Sequence, residues 1–501
     1  MTGAPADPVA ATHELISQGR RKEALEMIEG LGQRQDATHA QLAAYAYALK
    51  MLGRMDEALA VYDRAVKAFP RSAVAEHNVA ALLGDMRRFP QAEAAARRAF
   101  AKGIDAPETW AALARAIHGQ GRHDEARATY MEALKRRANM PDVHRDLAQL
   151  IWTRTADLGA ASAGLKAATE AFPGQSDLVV QLAKAQEYGG ELEDAYTTVL
   201  RAISRSGSPD VELECEASVL AGKLGESVAA LRHAEIANQM SPGDPRSVLL
   251  VCDAQLGLGR AGPAARLAQA LHDRIPGEQQ VLARLATAWR LMDDPRYRAL
   301  YDYDAIVHGW VIDTPPGWAD LPSYLRDLAV ALREENTGAG HPFDQSLRNG
   351  SQTETDLTLF EAPAIKAFFQ AIDGPIRRHM EAIGQGEDPL RRRNTGAYAI
   401  QGAWSVRLRP NGYHVDHVHQ LGWLSSACHI ELPAAVDGGG QEGWLKFGEP
   451  GVPTMPRMPA EHFVKPEPGR LVLFPSYMWH GTVPFSGDQE RLSVAFDVVP
   501  A

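Results

Sequence analysis

The strongest constraint on the fold is an internal repeat with a period of 34 residues in the first half of the chain. In each repeat, a turn residue and a run of polar residues lead into an alanine, as in GRRKEAL, GRMDEAL, RRFPQAE and GRHDEAR. The alanines that mark it are Ala24, Ala58, Ala92, Ala126 and Ala160, then Ala195 one residue late, Ala229 and Ala264. An unpatterned helical bundle would not hold this register, so repeated units of one structure are predicted.

Each unit is predicted to be a pair of antiparallel helices. The small alanine lets the second helix pack closely against the first, and a proline such as Pro70 or Pro173 ends the second helix. One pair cannot bury its own apolar face, so stacked pairs form a curved solenoid with a concave surface. These segments resemble tetratricopeptide repeats over residues 8–292, in about eight units.

The repeats bear on which partners the protein has. The resemblance implies that the solenoid holds a peptide or a partner protein, and the alternative is that it is only a rigid spacer or a dimer surface. The net charge of −11 argues against a general binder of nucleic acid or of an anionic membrane, because few positive groups would neutralise the phosphates. We therefore expect a protein or peptide partner, no nucleic acid and no membrane.

The number of cysteines and the N-terminal sequence indicate in which cellular compartment the protein is expected. The chain has three cysteines, at Cys215, Cys252 and Cys428, and no CxxC pair, which excludes a disulfide framework and suits a reducing environment. Its first residues contain no apolar core of the signal-peptide type, and no stretch of about 18 apolar residues occurs. We expect a cytoplasmic protein.

The residue pattern changes after about residue 290, where the 34-residue repeat is no longer found. Two further helices are predicted, at 321–335 and 362–384. From Gly402 onward, short β-rich runs alternate with glycine and proline: AWSVRLRP, WLSSACHIELP, GWLKFG, GRLVLFPS and RLSVAFDVVP. A set of strands backed by helices is expected, as an α+β domain or a β-barrel.

Three features of this C-terminal region carry the chemistry. In an extended strand, residues two apart share a face, so His417 and His419 can present imidazoles to one point. An apolar strand ends at His480, and a later strand carries Arg491 and Ser493, again two residues apart. A mononuclear Fe(II) oxygenase binds its ion on one face, mostly through imidazoles, and leaves the other face open for a bidentate cosubstrate and O₂.

The arginine suits the second half of such a site. A cosubstrate with a distal carboxylate needs a fixed cation, and a guanidinium offers the paired hydrogen bonds that an ammonium cannot. The hydroxyl of Ser493, on the same strand face as Arg491, can complete that carboxylate site.

The order of these segments resembles a bacterial and phage family of 2-oxoglutarate/Fe(II) oxygenases. The matching segments are HVHQLGWLSSACHIELP, GWLKFGEP, KPEPGRLVLFPSYMWHGTVPF and RLSVAFDV, with HPFDQSLRNGSQT upstream. The resemblance covers about residues 300–501 and implies a double-stranded β-helix (jelly-roll) domain with supporting helices, here assigned to 293–501. It further implies iron bound by the HxH motif and the later histidine, and 2-oxoglutarate held by Arg491.

The identity of the third iron ligand stays open at this point. Better-known members of the superfamily place a carboxylate where this chain has His419. The candidate ligands are therefore His417, His419 and His480, with His414 and Asp416 beside His480 as the alternative set or water as the third ligand. His417 is favoured over His414 because the family alignment and the distance from Gly412 agree.

The expected function is a 2-oxoglutarate-dependent Fe(II) dioxygenase, an oxidoreductase that most resembles a hydroxylase. The combination with tetratricopeptide repeats is similar to the aspartyl/asparaginyl hydroxylases, which implies a polypeptide substrate. Two other readings are kept: an interaction scaffold with an inactive barrel, and a three-histidine dioxygenase that does not use 2-oxoglutarate. His414 and His429 are interpreted as surface or packed residues, and Trp423, Trp444 and Trp479 as core or pocket wall.

Overall fold

The computed structural model describes residues 7–501, in two compact units. The first unit ends at Leu147 and the second runs from Ala148 to Ala501. The border between the two compact units therefore lies within the repeat region. The boundary at 292/293 comes from the change in sequence pattern, and it stays a prediction. No helix in residues 7–501 combines the length and the apolar character that a membrane crossing requires.

The repeats are antiparallel helix pairs, as predicted. The helices of the first unit, and the one that leads out of it, are α1 Pro8–Ser17, α2 Arg21–Gly32, α3 His39–Met51, α4 Met55–Ala68, α5 Ala73–Asp85, α6 Phe89–Ala101, α7 Pro107–His118, α8 His123–Arg136 and α9 Pro141–Thr155. The second unit continues with α10 Leu158–Ala171, α11 Ser176–Tyr188, α12 Leu192–Arg205, α13 Val211–Lys223, α14 Ser227–Met240, α15 Pro245–Gly257, α16 Ala261–Arg274 and α17 Gln279–Leu291.

The repeated alanines occupy the helix–helix contact, with two exceptions. Ala24, Ala58 and Ala126 are fully buried, as the close packing of the two helices requires. In two later units the marked alanine is exposed (Ala160) or only half-buried (Ala229), and the next residue, Ala161 or Ala230, is the buried one. The register of the later repeats is therefore shifted by one residue in those units.

The C-terminal region consists of helices and two antiparallel sheets. Its helices are α18 Arg296–Leu300, α19 Tyr303–Ile306, α20 Leu321–Glu335 and α21 Pro363–Ile383. Its strands are β1 His308–Val311, β2 Leu347–Gln352, β3 Tyr398–His414, β4 Leu424–Glu431, β5 Leu445–Phe447, β6 His462–Val464, β7 Arg470–Pro475, β8 His480–Thr482 and β9 Arg491–Pro500. The six-stranded sheet has the order β1-β7-β4-β9-β3-β2 and the three-stranded sheet the order β6-β5-β8, which makes this a double-stranded β-helix domain with supporting helices.

Strand β9 shows how the large sheet separates core from site. Its even-numbered residues, such as Val494 and Phe496, are buried in the main hydrophobic core together with α20 and α21, and Phe368 of α21 lies edge-on to Phe496. Because successive residues of a strand point to opposite faces, Arg491 and Ser493 lie on the face away from these helices.

Two segments of the C-terminal region pack on repeat helices of the same unit. The indole of Trp152 in α9 donates to the carbonyl of His341 (2.8 Å) and stacks on Phe343. The indole of Trp479, directly before β8, donates to the hydroxyl of Thr287 in α17 (2.9 Å). The later repeats and the sheets therefore form one packed body.

The contact of Trp152 yields a stability prediction. Trp152→Ala removes a nearly buried indole and its hydrogen bond, and we expect it to lower the free energy of unfolding of the second unit by about 3–5 kcal/mol. Chemical denaturation measures this change, and limited proteolysis shows whether the segment at 337–344 is released. Val228→Ala, at a side chain that is 74% exposed, serves as control and stays within about 0.5 kcal/mol of the wild type. Equal effects of the two substitutions would contradict the anchoring role.

Candidate metal centre

Three imidazoles converge where the two sheets face each other. One nitrogen from each of His417, His419 and His480 lies within 4.8 Å of the others, and the Nε2 atoms of His417 and His419 are 3.2 Å apart. His480 is the first residue of β8, and His417 pairs with it through two backbone hydrogen bonds of 2.9 and 3.1 Å. The backbone N–H of His419 donates to the carbonyl of Ser476 (3.0 Å). The structure thus brings together the three histidines that the sequence singled out.

Backbone carbonyls fix the orientation of two of these rings. Nδ1 of His417 lies 2.9 Å from the carbonyl oxygen of Val415, and Nδ1 of His480 lies 2.9 Å from that of Met478. A carbonyl oxygen only accepts, so each Nδ1 carries the hydrogen and each Nε2 keeps its lone pair. Both rings therefore present a ligand atom to the common point.

A carboxylate fixes the third ring. Nδ1 of His419 donates to Asp497, with 2.6 and 2.8 Å to the two carboxylate oxygens, which leaves Nε2 of His419 as its ligand atom. Asp497 is itself held by the hydroxyl of Ser425 (2.9 Å), which lies 2.9 Å from the hydroxyl of Ser476. Such outer partners hold the ring in place and make the imidazole a stronger ligand.

Burial keeps the cluster in the form that binds metal. It lowers the pKa of His417 to about 3, with the charge of a protonated His419 adding to the effect. Burial also lowers the pKa of His480 well below its usual range, followed by the effect of His417. Neutral imidazoles are therefore available at neutral pH, and they are the ligand form that divalent iron requires.

The alternative ligand set is not assembled. Asp416 lies outside the three-histidine group, and its Oδ2 is bound by the ammonium of Lys446 (2.8 Å). Burial raises the pKa of the Asp416 carboxyl to about 6, against the lowering effect of the Lys446 hydrogen bond. His414 stacks beside His417, and its Nδ1 lies 2.9 Å from the hydroxyl of Ser346. Of the candidates left open by the sequence, the geometry favours His419 as the third ligand.

Arg491 lies buried on the same face of the large sheet as Asp497. Its Nη1 donates to the carbonyl of Gly443 (2.9 Å) and its Nη2 to Nδ1 of His429 (3.2 Å), while Nε has no partner in the described part of the chain. Both partners are neutral, and burial lowers the pKa of the guanidinium to about 10, so the group stays charged at neutral pH. A buried cation without an acidic partner is costly, and an anionic ligand would offset that cost.

Ser493 completes the predicted set. It is nearly buried in β9, two residues from Arg491 and opposite His429 of β4. The residues present therefore fit both groups that the sequence implied: three imidazoles, each with Nε2 available, for Fe(II), and a cation with a neighbouring hydroxyl for a carboxylate.

The sequence reasoning missed Asp497 and Ser425. Asp497 shares the strand face of Arg491 and Ser493, so the alternation along RLSVAFDVV could have found it. Ser425 shows no comparable signal. Of the tryptophans, Trp423 is buried in the core with its indole bonded to the carbonyl of Leu390 (2.9 Å). Trp479 belongs to the contact with α17.

Comparisons with known families agree with this picture. Residues 402–497 match a family described as "Putative 2OG-Fe(II) oxygenase". Residues 39–82 and 107–140 match two tetratricopeptide repeat families. The chain therefore contains tetratricopeptide repeats in its N-terminal region and a domain of this oxygenase family at its C-terminus. The comparison with curated proteins gave no match.

Solved structures resemble parts of the chain at low identity. A chain in the structure of Naa15/Naa10 bound to HypK-THB is 21% identical with a TM-score of 0.28, over 53% of this chain and 42% of that one. Yeast Tom70 is 14% identical with a TM-score of 0.45, over 56% of this chain and 60% of that one. A tetratricopeptide repeat protein from Parabacteroides merdae is 14% identical with a TM-score of 0.34, over 49% and 96%. The chain thus spans about half the length of the first two.

The ligand assignment can be tested by metal binding. We expect His417→Ala and His480→Ala each to weaken anaerobic Fe(II) binding by more than about 100-fold, because each removes a ligand atom. Asp416→Asn is the matched control and leaves the affinity unchanged, because Asp416 pairs with Lys446 instead. Loss of metal in Asp416→Asn, with retention in a His417 variant, would reinstate the alternative set.

A second test addresses the carboxylate behind His419. Asp497→Asn keeps the size of the side chain but removes its charge, and we expect Fe(II) affinity to fall by roughly 10- to 100-fold. Isothermal titration under anaerobic conditions measures this change. Unaltered affinity would show that Asp497 does not support the ligand.

Proposed function

We propose that this protein is an Fe(II)/2-oxoglutarate-dependent dioxygenase that hydroxylates a peptide or protein recruited by the repeats. The observation that carries the proposal is the pairing of two features in one domain. Three imidazole Nε2 atoms converge beside the start of β8, and one face of the large sheet holds a buried guanidinium that has no acidic partner within residues 7–501. A metal ion would bind the three imidazole nitrogens, and a dicarboxylate would give the guanidinium an acidic partner.

The roles of the residues follow from their positions. His417, His419 and His480 would hold the ion on one side and leave its other positions open. Bound Fe(II) and 2-oxoglutarate supply the oxidising chemistry, in which one oxygen atom of O₂ enters the substrate and the other enters succinate, with release of CO₂. Arg491 and Ser493 would bind the far carboxylate of the cosubstrate.

Charge and packing support the same roles. Three neutral ligands leave the ion dipositive, and the two negative charges of 2-oxoglutarate would offset that charge. The ring of Phe474 lies 4.5 Å from that of His480, and Trp404 stacks on His419. These aromatic walls exclude water from the side of the centre that they cover.

The proposal of a polypeptide substrate is supported by the repeats. Helices α9 and α11 already hold a loop segment of this chain, through Trp152 and Tyr188 packed around His341 and Phe343. Repeat helices that hold one chain segment through aromatic contacts are suited to hold another elsewhere. The three cysteines are free and buried, and we keep the cytoplasm as the proposed compartment.

The three-histidine ligand set also favours a second candidate, a dioxygenase that does not use 2-oxoglutarate. In that case Arg491 would bind a carboxylate of the substrate itself. The two candidates differ in whether iron in the protein chelates 2-oxoglutarate.

The test is an anaerobic titration of Fe(II) and 2-oxoglutarate into the protein, followed by the visible charge-transfer band of an iron–oxoacid chelate. We expect the band in the wild type, its loss in His417→Ala, and a shift to higher 2-oxoglutarate concentration in Arg491→Ala. Arg377→Ala, an exposed arginine of α21, is the control and behaves as the wild type. Iron binding without a band would favour the second candidate, and no iron binding would contradict both.

A further inference from the structure

His429 stands out as a fully buried imidazole in the middle of the large sheet. It lies on β4 directly opposite Ser493 of β9, so its side chain shares the face that carries Ser493 and Arg491. The neighbours of this polar group on β3 are apolar: Val406 is opposite Ser493, and Leu408 is opposite Arg491. The sequence interpretation of His429 as a surface or packed residue does not account for this placement.

The hydrogen-bond pattern determines the tautomer of His429. Its Nδ1 lies 3.2 Å from Nη2 of Arg491, and a guanidinium only donates. Nδ1 must therefore accept, which places the ring hydrogen on Nε2 and keeps the imidazole neutral. Burial, together with the charges of Arg491 and Arg470, lowers the pKa of His429 well below its usual range, in agreement with a neutral ring.

The Nε2–H of His429 is left without an acceptor. This atom is buried, and nothing in residues 7–501 accepts its hydrogen, which is also true of Nε–H of Arg491 beside it. A buried donor that is not satisfied costs the free energy of its lost hydration, and here two such donors belong to one hydrogen-bonded pair. A carboxylate has two oxygens that accept several hydrogen bonds and a charge that suits the arginine.

We propose that His429 is a binding residue for the far carboxylate of the 2-oxo dicarboxylate, acting beside Arg491 and Ser493 as a neutral donor. The inference rests on the proposed function and adds a specificity element to it. A neutral imidazole supplies a hydrogen bond without a second positive charge, and its other nitrogen holds the guanidinium in place. The pair therefore selects for a cosubstrate that carries a carboxylate at its far end.

The experiment compares two oxo acids that differ only in that end. The iron-loaded wild type, His429→Ala and His429→Gln are titrated anaerobically with 2-oxoglutarate and, separately, with 2-oxovalerate, which has a methyl group in place of the far carboxylate. The charge-transfer band gives the dissociation constant for each acid. We expect His429→Ala to weaken 2-oxoglutarate binding by roughly 10- to 100-fold and to leave 2-oxovalerate binding unchanged. His429→Gln retains an amide donor and recovers part of the loss.

The control is a second buried histidine. His379 of α21 is also fully buried, and its Nε2 has no partner among the described residues, but it lies in the helix that packs on the opposite face of the sheet. His379→Gln is therefore expected to leave both dissociation constants unchanged. Circular dichroism and iron content, measured for every variant, identify a general loss of structure.

The outcomes separate the two proposals. If the wild type shows a band with 2-oxoglutarate and His429→Ala keeps the same preference over 2-oxovalerate, the role of His429 is overturned and the oxygenase function stands. Equal weakening of both acids in His429→Ala and His429→Gln means that the residue is only structural, which also overturns the role. If iron-loaded wild type shows no band with either acid, both proposals fail.

Discussion

The candidate metal centre depends on one backbone pairing, the reciprocal hydrogen bonds between His417 and His480. His417 follows the long strand β3, and His480 opens β8 of the small sheet, so this pairing ties the two sheets together at the point where the imidazoles meet. Both rings are then oriented by carbonyls two residues earlier in the chain. The orientation of these two rings is therefore set by the backbone, whereas that of His419 is set by the side chain of Asp497.

The large sheet has an apolar face that packs on the helices and an opposite face that carries polar side chains. One face of β9 is buried against the helices, and the other carries the guanidinium of Arg491, the hydroxyl of Ser493 and the carboxylate of Asp497 at odd-numbered positions. Successive residues of a strand point to opposite faces, so one short sequence can supply both apolar side chains for the core and polar side chains for the site. This arrangement explains how the guanidinium of Arg491 and the carboxylate behind His419 come from the same strand face.

The helices and strands could be predicted from the sequence more accurately than the contacts between them. The helices α20 and α21 and the strands β4, β7 and β9 follow from local periodicity and lie within a residue or two of the expected positions, whereas β3 is longer at both ends than the run AWSVRLRP and β1 was not predicted. Strand β2, with the sequence LRNGSQ, was not predicted because its residues show no apolar alternation and it exists only through pairing with β3. The same limit applies to the site: HxH, His480 and Arg491 are local signals, whereas the contacts of Ser425 and His429 are made across strands and leave no mark in the sequence.

The packing of Trp479 on α17 has a consequence for how such a protein can be divided. The indole lies one residue before His480, and its hydrogen bond ends on Thr287, on the other side of the boundary that the sequence pattern places near residue 292. A chain that began at that boundary would leave a tryptophan beside a ligand strand without its partner, facing water. Helix α17 is therefore part of the packing of the C-terminal region, and a recombination event that moved the sheets without this helix would break that packing.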